Sequence, residues 1–239
     1  MGSHLFKEKY SMIRLIIVIS LFSFKETFAQ SYVFEGVITY KHQAFINDDK
    51  QTYSPIETEE VYHNERYLLR RVLSGRALSL AGNKDILLDA ESFSRFQIDH
   101  DKHTFSELIT AEPDDFKQFA DIQLLEEDTI LGHTCRVYKF RYLLKSEVVT
   151  MYGVEVKIDT LNCEYFISTE LKLCKPEVFA RLQGYRNTKL LDGRFEGIPL
   201  KIITTNSNGF RLVVEAIKID ERKIDDFVRI PDSYIKVKL

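Results

Sequence analysis

The densest polar cluster in the chain is His100-Asp101-Lys102-His103, with Asp99 just before it. Two histidines at i and i+3 beside carboxylates are residue types that could hold zinc or a similar ion. The flanking runs point elsewhere. Ser94–Asp99 and His103–Ile109 alternate as strands do, so the cluster falls where a hairpin turns, and Asp and Lys are ordinary residues of a turn tip. Positions i and i+3 of a strand also point to opposite faces. A turn is therefore expected here, and no metal. His133 and Cys135 stand two apart, on one strand face if a strand begins that early. A thiol beside an imidazole is the start of a nucleophilic pair, but the pair needs a third, orienting group and the sequence names none. A packed cysteine beside the Gly132 turn is the simpler reading. The chain has no Gly-x-Ser-x-Gly, no phosphate-cradling glycine loop, no His-Glu-x-x-His and no dinucleotide fingerprint. Its many carboxylates show no spacing that selects an acid/base pair. No catalytic residue and no cofactor is expected.

The aromatic content is the remaining chemical feature: 17 Phe, 12 Tyr and no Trp. Phe and Tyr favour strands, so most of them are expected to pack a sheet. Two short segments break the strand pattern. Glu112-Pro113-Asp114-Asp115 puts Pro and acids where a helix begins, and Phe116, Phe119 and Ala120 then fall on one stripe. Pro176–Gln183 has Pro in its first turn, Gly184 as a stop, and Val178, Phe179 and Leu182 on one side. If these two helices lie over a sheet, Phe116, Phe119, Phe179 and Leu182 would line an apolar cavity as its lid.

The rest of the chain has a period of two. Phe34–Lys41 reads as a first strand and residues 43–57 as a long polar loop. Glu59–His63, Tyr67–Leu73, Arg76–Ala81, Ile86–Ala90 and Ser94–Asp99 read as hairpin-linked strands. Cys135–Leu144, Val148–Ile158 and Asn162–Ser168 continue a meander. Leu200–Asn206 and Phe210–Asp220 flank Ser207-Asn208-Gly209, a hairpin turn signal, and Phe227–Lys238 ends the chain with Pro231 and a last alternating run. The fold class expected is mainly β: a strongly curved antiparallel sheet, an incomplete β-barrel, with two short helices as lid. A two-sheet sandwich is the alternative.

Residues 1–29 read as a secretory signal peptide. Lys7, Lys9 and Arg14 form a basic start, Leu15–Phe24 an apolar core, and Thr27-Phe28-Ala29 a cleavage site before Gln30. Ten apolar residues rise about 15 Å as a helix, too short for an ordinary membrane span. Translation could start at Met1 or at Met12. Without Lys7, Lys9, Arg14, Lys25, Glu8 and Glu26, the mature chain has 29 basic and 34 acidic residues, net −5. That mildly acidic, mixed surface argues against nucleic acid as a partner. No other apolar run is long enough to cross a membrane after cleavage. Residues 30–239 are expected to form a single β-rich domain. The three cysteines, Cys135, Cys163 and Cys174, leave at least one thiol free. Cys163–Cys174 and Cys135–Cys163 are both open, as is a fully reduced state.

Four short stretches carry a family likeness: Phe34-Glu35-Gly36-Val37-Ile38-Thr39-Tyr40, Leu131-Gly132-His133-Thr134-Cys135-Arg136-Val137-Tyr138, Phe195-Glu196-Gly197-Ile198-Pro199-Leu200-Lys201-Ile202 and Phe227-Val228-Arg229-Ile230-Pro231-Asp232-Ser233-Tyr234. Their order resembles the GLPGLI-type and related uncharacterised exported proteins of Gram-negative bacteria, a group similar in pattern to periplasmic lipoprotein carriers. Leu200 stands where that pattern has its second glycine, and residues 43–60 and 145–160 are longer than usual. The resemblance implies an incomplete barrel with a helical lid, an exported location (periplasm, outer membrane or outside the cell) and a greasy cavity, and it transfers no functional residue. The function expected is that of a non-enzymatic envelope protein binding a lipid, a lipoprotein acyl chain or an envelope protein partner. The alternatives are a structural or interaction module without ligand and, behind it, an unrecognised hydrolase.

Overall fold

The computed structural model describes residues 32–46, 57–74, 83–108, 119–150, 153–176, 197–224 and 228–238. All of them belong to the unit Tyr32–Leu239. The described strands are β1 (Tyr32–Val33), β2 (Gly36–Ile46), β3 (Glu57–His63), β4 (Tyr67–Ser74), β5 (Lys84–Asp89), β6 (Ser94–Asp99), β7 (Thr104–Leu108), β8 (Phe119–Ile130), β9 (His133–Thr150), β10 (Gly153–Lys172), β11 (Gly197–Asn206), β12 (Phe210–Glu221) and β13 (Ile235–Lys236). They form one sheet in the order β13-β7-β6-β5-β4-β3-β2-β12-β11-β10-β9-β8, with β1 pairing β10 off this path. The described strands are thus not split into the two sheets of a sandwich. The sheet is open and curved, with β13 and β8 at its ends.

Local chemistry explains the hairpins. Leu131 and Gly132 both take positive φ (52° and 87°), the twist that a two-residue link between antiparallel strands requires. Asn206 Oδ1 accepts the backbone N–H groups of Asn208 and Phe210, and Gly209 takes a positive φ of 76°, which closes the β11–β12 turn where the Ser207-Asn208-Gly209 signal lies. Asn64 Oδ1 does the same for Arg66 and Tyr67 between β3 and β4. Register shifts at Phe166/Ile167 in the β10–β11 pair and at Ala216/Lys218 in the β12–β2 pair add local bends.

Several expectations need correction. Phe119 and Ala120 are not helical: they open β8 and pair with Tyr142 and Arg141, and the rest of the first expected helix lies outside the described residues. Of the second, Pro176 is helical and residues 177–183 lie outside them. The expected loop from residue 43 begins later, because β2 runs to Ile46 to pair with Phe210. Val148–Ile158 is not one strand. β9 and β10 meet in a long hairpin in which Thr150 pairs with Gly153, so this stretch spans both its arms. The expected strand Arg76–Ala81 and residues 1–31 are outside the described residues.

Two large buried clusters hold the sheet, and a third, smaller one joins Tyr138, Phe140, Cys163 and Ile167. The larger joins Ile38, Leu68 and Leu88 to Cys135, Val137, Phe166, Leu171, Ile198 and Leu200, which come from opposite halves of the strand order, so the sheet must bend to bring them together. The second packs Val37, Tyr62, Leu69, Leu87 and Ile98 under Ile224 and Val228, with Ile230 and Tyr234 beside them. The segment after β12 therefore crosses the second face of β2–β7 and ends as β13, parallel to β7. No helix among the described residues is long and apolar enough to cross a membrane.

Candidate ligand-binding face

Directly opposed residues on neighbouring strands share a face, so the register reads out the sheet's surface. One row runs Tyr138–Tyr165–Ile202–Val214–His42 across β9, β10, β11, β12 and β2. The next row along runs Phe140–Cys163–Thr204–Leu212–Ala44. Tyr138, Phe140, Cys163 and Ala44 are buried, whereas Tyr165, Ile202, Leu212 and Val214 are only half-buried. Phe140 and Tyr165 pack edge to face with ring centres 5.0 Å apart. Alternation along five strands thus builds a broad, mostly apolar surface, interrupted by His42 and Thr204, that the described residues do not fully cover.

Following β2 to β6 on this same face, the character changes. Tyr40 opposes Glu59, Val61 opposes Arg70, and Leu68 opposes Leu88, which opposes Arg95. Glu59 is buried at 7% exposure. Its Oε2 accepts from Arg70 Nη2 at 2.7 Å, and its Oε1 lies 3.2 Å from His42 Nε2. Burial alone would raise the Glu59 pKa, but His42 and Arg70 outweigh it and hold the carboxyl below its ordinary range. Arg95 is different. It is half-buried, its Nε is buried without a hydrogen-bond partner, and burial followed by repulsion from Arg70 lowers its affinity for its own proton. His63, at the end of β3 on this face, is also unmatched. Neither ring nitrogen has a partner, and the ring packs edge-on to Phe34 at 5.7 Å.

The opposite face carries a closed polar chain. Arg71 Nη2 and Nε donate to Asp85, whose side chain is 2% exposed. Asp85 Oδ2 lies 2.8 Å from His100 Nε2, and His100 Nδ1 lies 3.0 Å from the Tyr234 hydroxyl. Satisfying both contacts makes Nε2–H the donor to Asp85 and Nδ1 the acceptor from Tyr234 O–H. The His103 ring stacks on the same tyrosine at 5.3 Å. The cluster expected as a turn tip is a turn, but its two histidines do not diverge. The turn, with His103 at a φ of +52°, brings both onto Tyr234 and so anchors the C-terminal segment. Hydroxyl, imidazole and carboxylate here follow the order of a nucleophile, base and orienter. Here, however, they lie beside the cover of the second cluster and bind two parts of the chain together. Among the described residues no group of three or more His, Cys, Asp or Glu converges as a metal site.

The His133–Cys135 pair resolves in the same direction. His133 Nδ1 contacts Glu170 Oε2 at 2.9 Å, and Glu170 Oε1 accepts the N–H of Thr134. Cys135 is fully buried, and burial pushes its thiol up to about 11, leaving it protonated at neutral pH. Cys163 is pushed to the same level by burial. All three cysteines are free thiols, so neither disulfide pairing is formed.

Of the residues expected to line a lid, Phe119 stands at the start of edge strand β8, and Phe116, Phe179 and Leu182 lie outside the described residues. Sequence reading did not single out Glu59, Arg70, Arg95 or His63. The available signal was charge at inward-alternating positions of otherwise apolar strands: Arg70 two places after Leu68, and Glu59 two before Val61.

No family model matches this chain, so none supports the GLPGLI-type resemblance, and no curated protein matches it. Among solved structures it is similar to the LolA superfamily protein NE2245 from Nitrosomonas europaea, with a TM-score of 0.38 and 10% identity over 82% of this chain and 90% of that one. It is similar also to PNGF-II, with a TM-score of 0.41 and 12% identity over 85% of this chain and 32% of that one. A third is the Mycobacterium tuberculosis lipoprotein LppX, with a TM-score of 0.34 and 9% identity over 80% and 89%. Likenesses of this size carry no inference about family or function.

Proposed function

We propose that this protein is a non-enzymatic, exported envelope protein that binds a hydrophobic ligand, a lipid or lipoprotein acyl chain, on the apolar face of β9–β12 and β2. The observation that carries this reading is the pair of aligned rows described above, in which Tyr165, Ile202, Leu212 and Val214 remain half-exposed beside buried neighbours. Burying each methylene of an acyl chain there contributes about 0.8 kcal/mol, so a long chain is held without any activated group. The high thiol pKa values and the structural use of the Tyr234–His100–Asp85 chain favour binding over chemistry.

The test is displacement of a neutral fluorescent acyl probe from purified, delipidated protein by hexadecanol. Binding is expected, with a loss of roughly tenfold or more in the variant Val214→Glu, whose carboxylate would have to be desolvated against the ligand. A folded protein that takes up no probe or alcohol refutes the reading.

A second reading, a module that docks another envelope protein, has one observation in its favour: Leu124 and Leu125 are 61% and 42% exposed on edge strand β8. Stoichiometric capture of a partner that is lost in Leu124→Lys, with no lipid bound, would select it instead.

A further inference from the structure

We propose that Arg95 binds the anionic head of the ligand, a carboxylate or a phosphate, which makes the ligand an anionic amphiphile; this rests on the binding reading above. The pattern of charges around Arg95 carries the argument. Each nearby arginine of this half of the sheet has a carboxylate of its own. Arg66 forks onto Asp89 at 3.0 and 2.8 Å, Arg71 onto Asp85, and Arg70 reaches Glu59 at 2.7 Å. Arg95 has none among the described residues. Its Nε is buried with no hydrogen-bond partner, and the charge that acts on it is the like charge of Arg70.

A guanidinium taken even partly out of water without a partner is unfavourable, and folded proteins pair such groups or use them. The surroundings make it a poor place for a merely solvated charge. Leu88 is opposite on one side and Leu108 on the other, and Leu68 and Leu88 are fully buried. The planar fork of Nε and Nη offers two parallel donors, the geometry that a carboxylate or phosphate accepts. Arg95 also lies on the same face as the apolar rows, four strands beyond β2, or about 19 Å at the usual strand spacing. An amphiphile lying across the sheet would therefore put its chain on the rows and its head on Arg95. A neutral head would leave the guanidinium as it is, and a cationic head would meet Arg95 and Arg70 together.

The experiment compares hexadecanoate, hexadecyl phosphate, hexadecanol and hexadecyltrimethylammonium as displacers of the neutral probe from the purified, delipidated protein. Both anions should bind roughly tenfold or more tighter than the alcohol, the usual worth of a hydrogen bond to a charged group. The quaternary ammonium should bind weakest, and the tighter anion identifies the head group. In Arg95→Gln the anions should lose their advantage over the alcohol. Arg95→Lys, which keeps the charge and guards against a folding defect in the Gln variant, should retain part of the preference. Equal binding of anions and alcohol, or a preference that survives Arg95→Gln, overturns the role of Arg95 while leaving the apolar reading intact. Failure of all four to bind overturns the binding reading and this inference with it.

Discussion

Mild acid should destabilise this fold through a single side chain, His63. The ring is wholly enclosed, burial pushes its pKa from the ordinary 6.5 down to about 3, and neither nitrogen has a hydrogen-bond partner. Between those two values the unfolded chain takes up a proton that the folded chain refuses. The stability this group contributes is therefore complete above about pH 6.5 and is lost progressively as pH falls toward 3. At pH 5 the unfolded state gains RT ln(1 + 10^1.5), or about 2 kcal/mol, a value that hardly depends on the folded pKa as long as it stays well below 5. Glu59 and Asp89, whose pKa values are lowered from 4.5 and 3.8, lose their contributions at lower pH, so the window near pH 5 isolates the histidine. The assay is urea unfolding of the wild type and of His63→Leu at about pH 7.5 and 5. Leucine fills similar space without unmatched nitrogens, so the variant should be at least as stable at pH 7.5 and should lack about 2 kcal/mol of the wild type's acid sensitivity. Equal acid sensitivity in both proteins, or a His63 resonance titrating near 6.5 in the folded state, would refute the reasoning.

Tyr234→Phe removes the donor to His100 Nδ1 and should cost about 1 kcal/mol, with faster proteolysis after β12; unchanged cleavage rates would show that the C-terminal cover does not depend on this bond. Gly197→Ala places a methyl against the carbonyl oxygen of Ser168 and should cost about 1–3 kcal/mol in urea unfolding, a backbone collision that flexible side chains cannot relieve. Iodoacetamide at about pH 8 should label half-exposed Cys174 in the folded protein and spare Cys135 and Cys163 until denaturant is added, as read by peptide mass spectrometry; prompt native labelling of Cys135 would contradict its burial and raised pKa.

The sequence made legible what local chemistry decides. β6 falls where alternation puts it, and the β11–β12 turn sits on Asn208 and Gly209 because those residues adopt tight turns at little cost. β8 was missed because an edge strand needs no apolar inner row: Gln123–Thr129 is exposed throughout and carries Glu126, Glu127 and Asp128 in succession. Its first residues, Phe119 and Ala120, satisfy a helical stripe as well as a strand, and pairing with β9 decides between the two. The length of the β9–β10 hairpin was hidden for a related reason, since Val148–Ile158 is β-prone on both sides of its turn. At the candidate site, the apolar residues were visible as strand residues but their alignment across five strands was not, because register is a property of pairs of strands. The Arg71–Asp85–His100–Tyr234 chain joins β4, β5, a turn and the C-terminal segment, and no single stretch of sequence contains it.

The β2–β12 pair at the middle of the strand order has a consequence for how the molecule is made. Gly36 pairs with Glu221 and Ile46 with Phe210, so the central seam of the sheet joins the beginning of the described chain to its end. Closing so large a loop is entropically demanding and slow, and folds dominated by such pairings fold late. A nascent chain still lacking β12 would expose β2 as a long unpaired edge, and β1 would have nothing to pair with until β10 had emerged. The N-terminal half therefore cannot complete its native sheet while the rest is being synthesised. That delay keeps the polypeptide short of its native sheet until the last strands have followed the first.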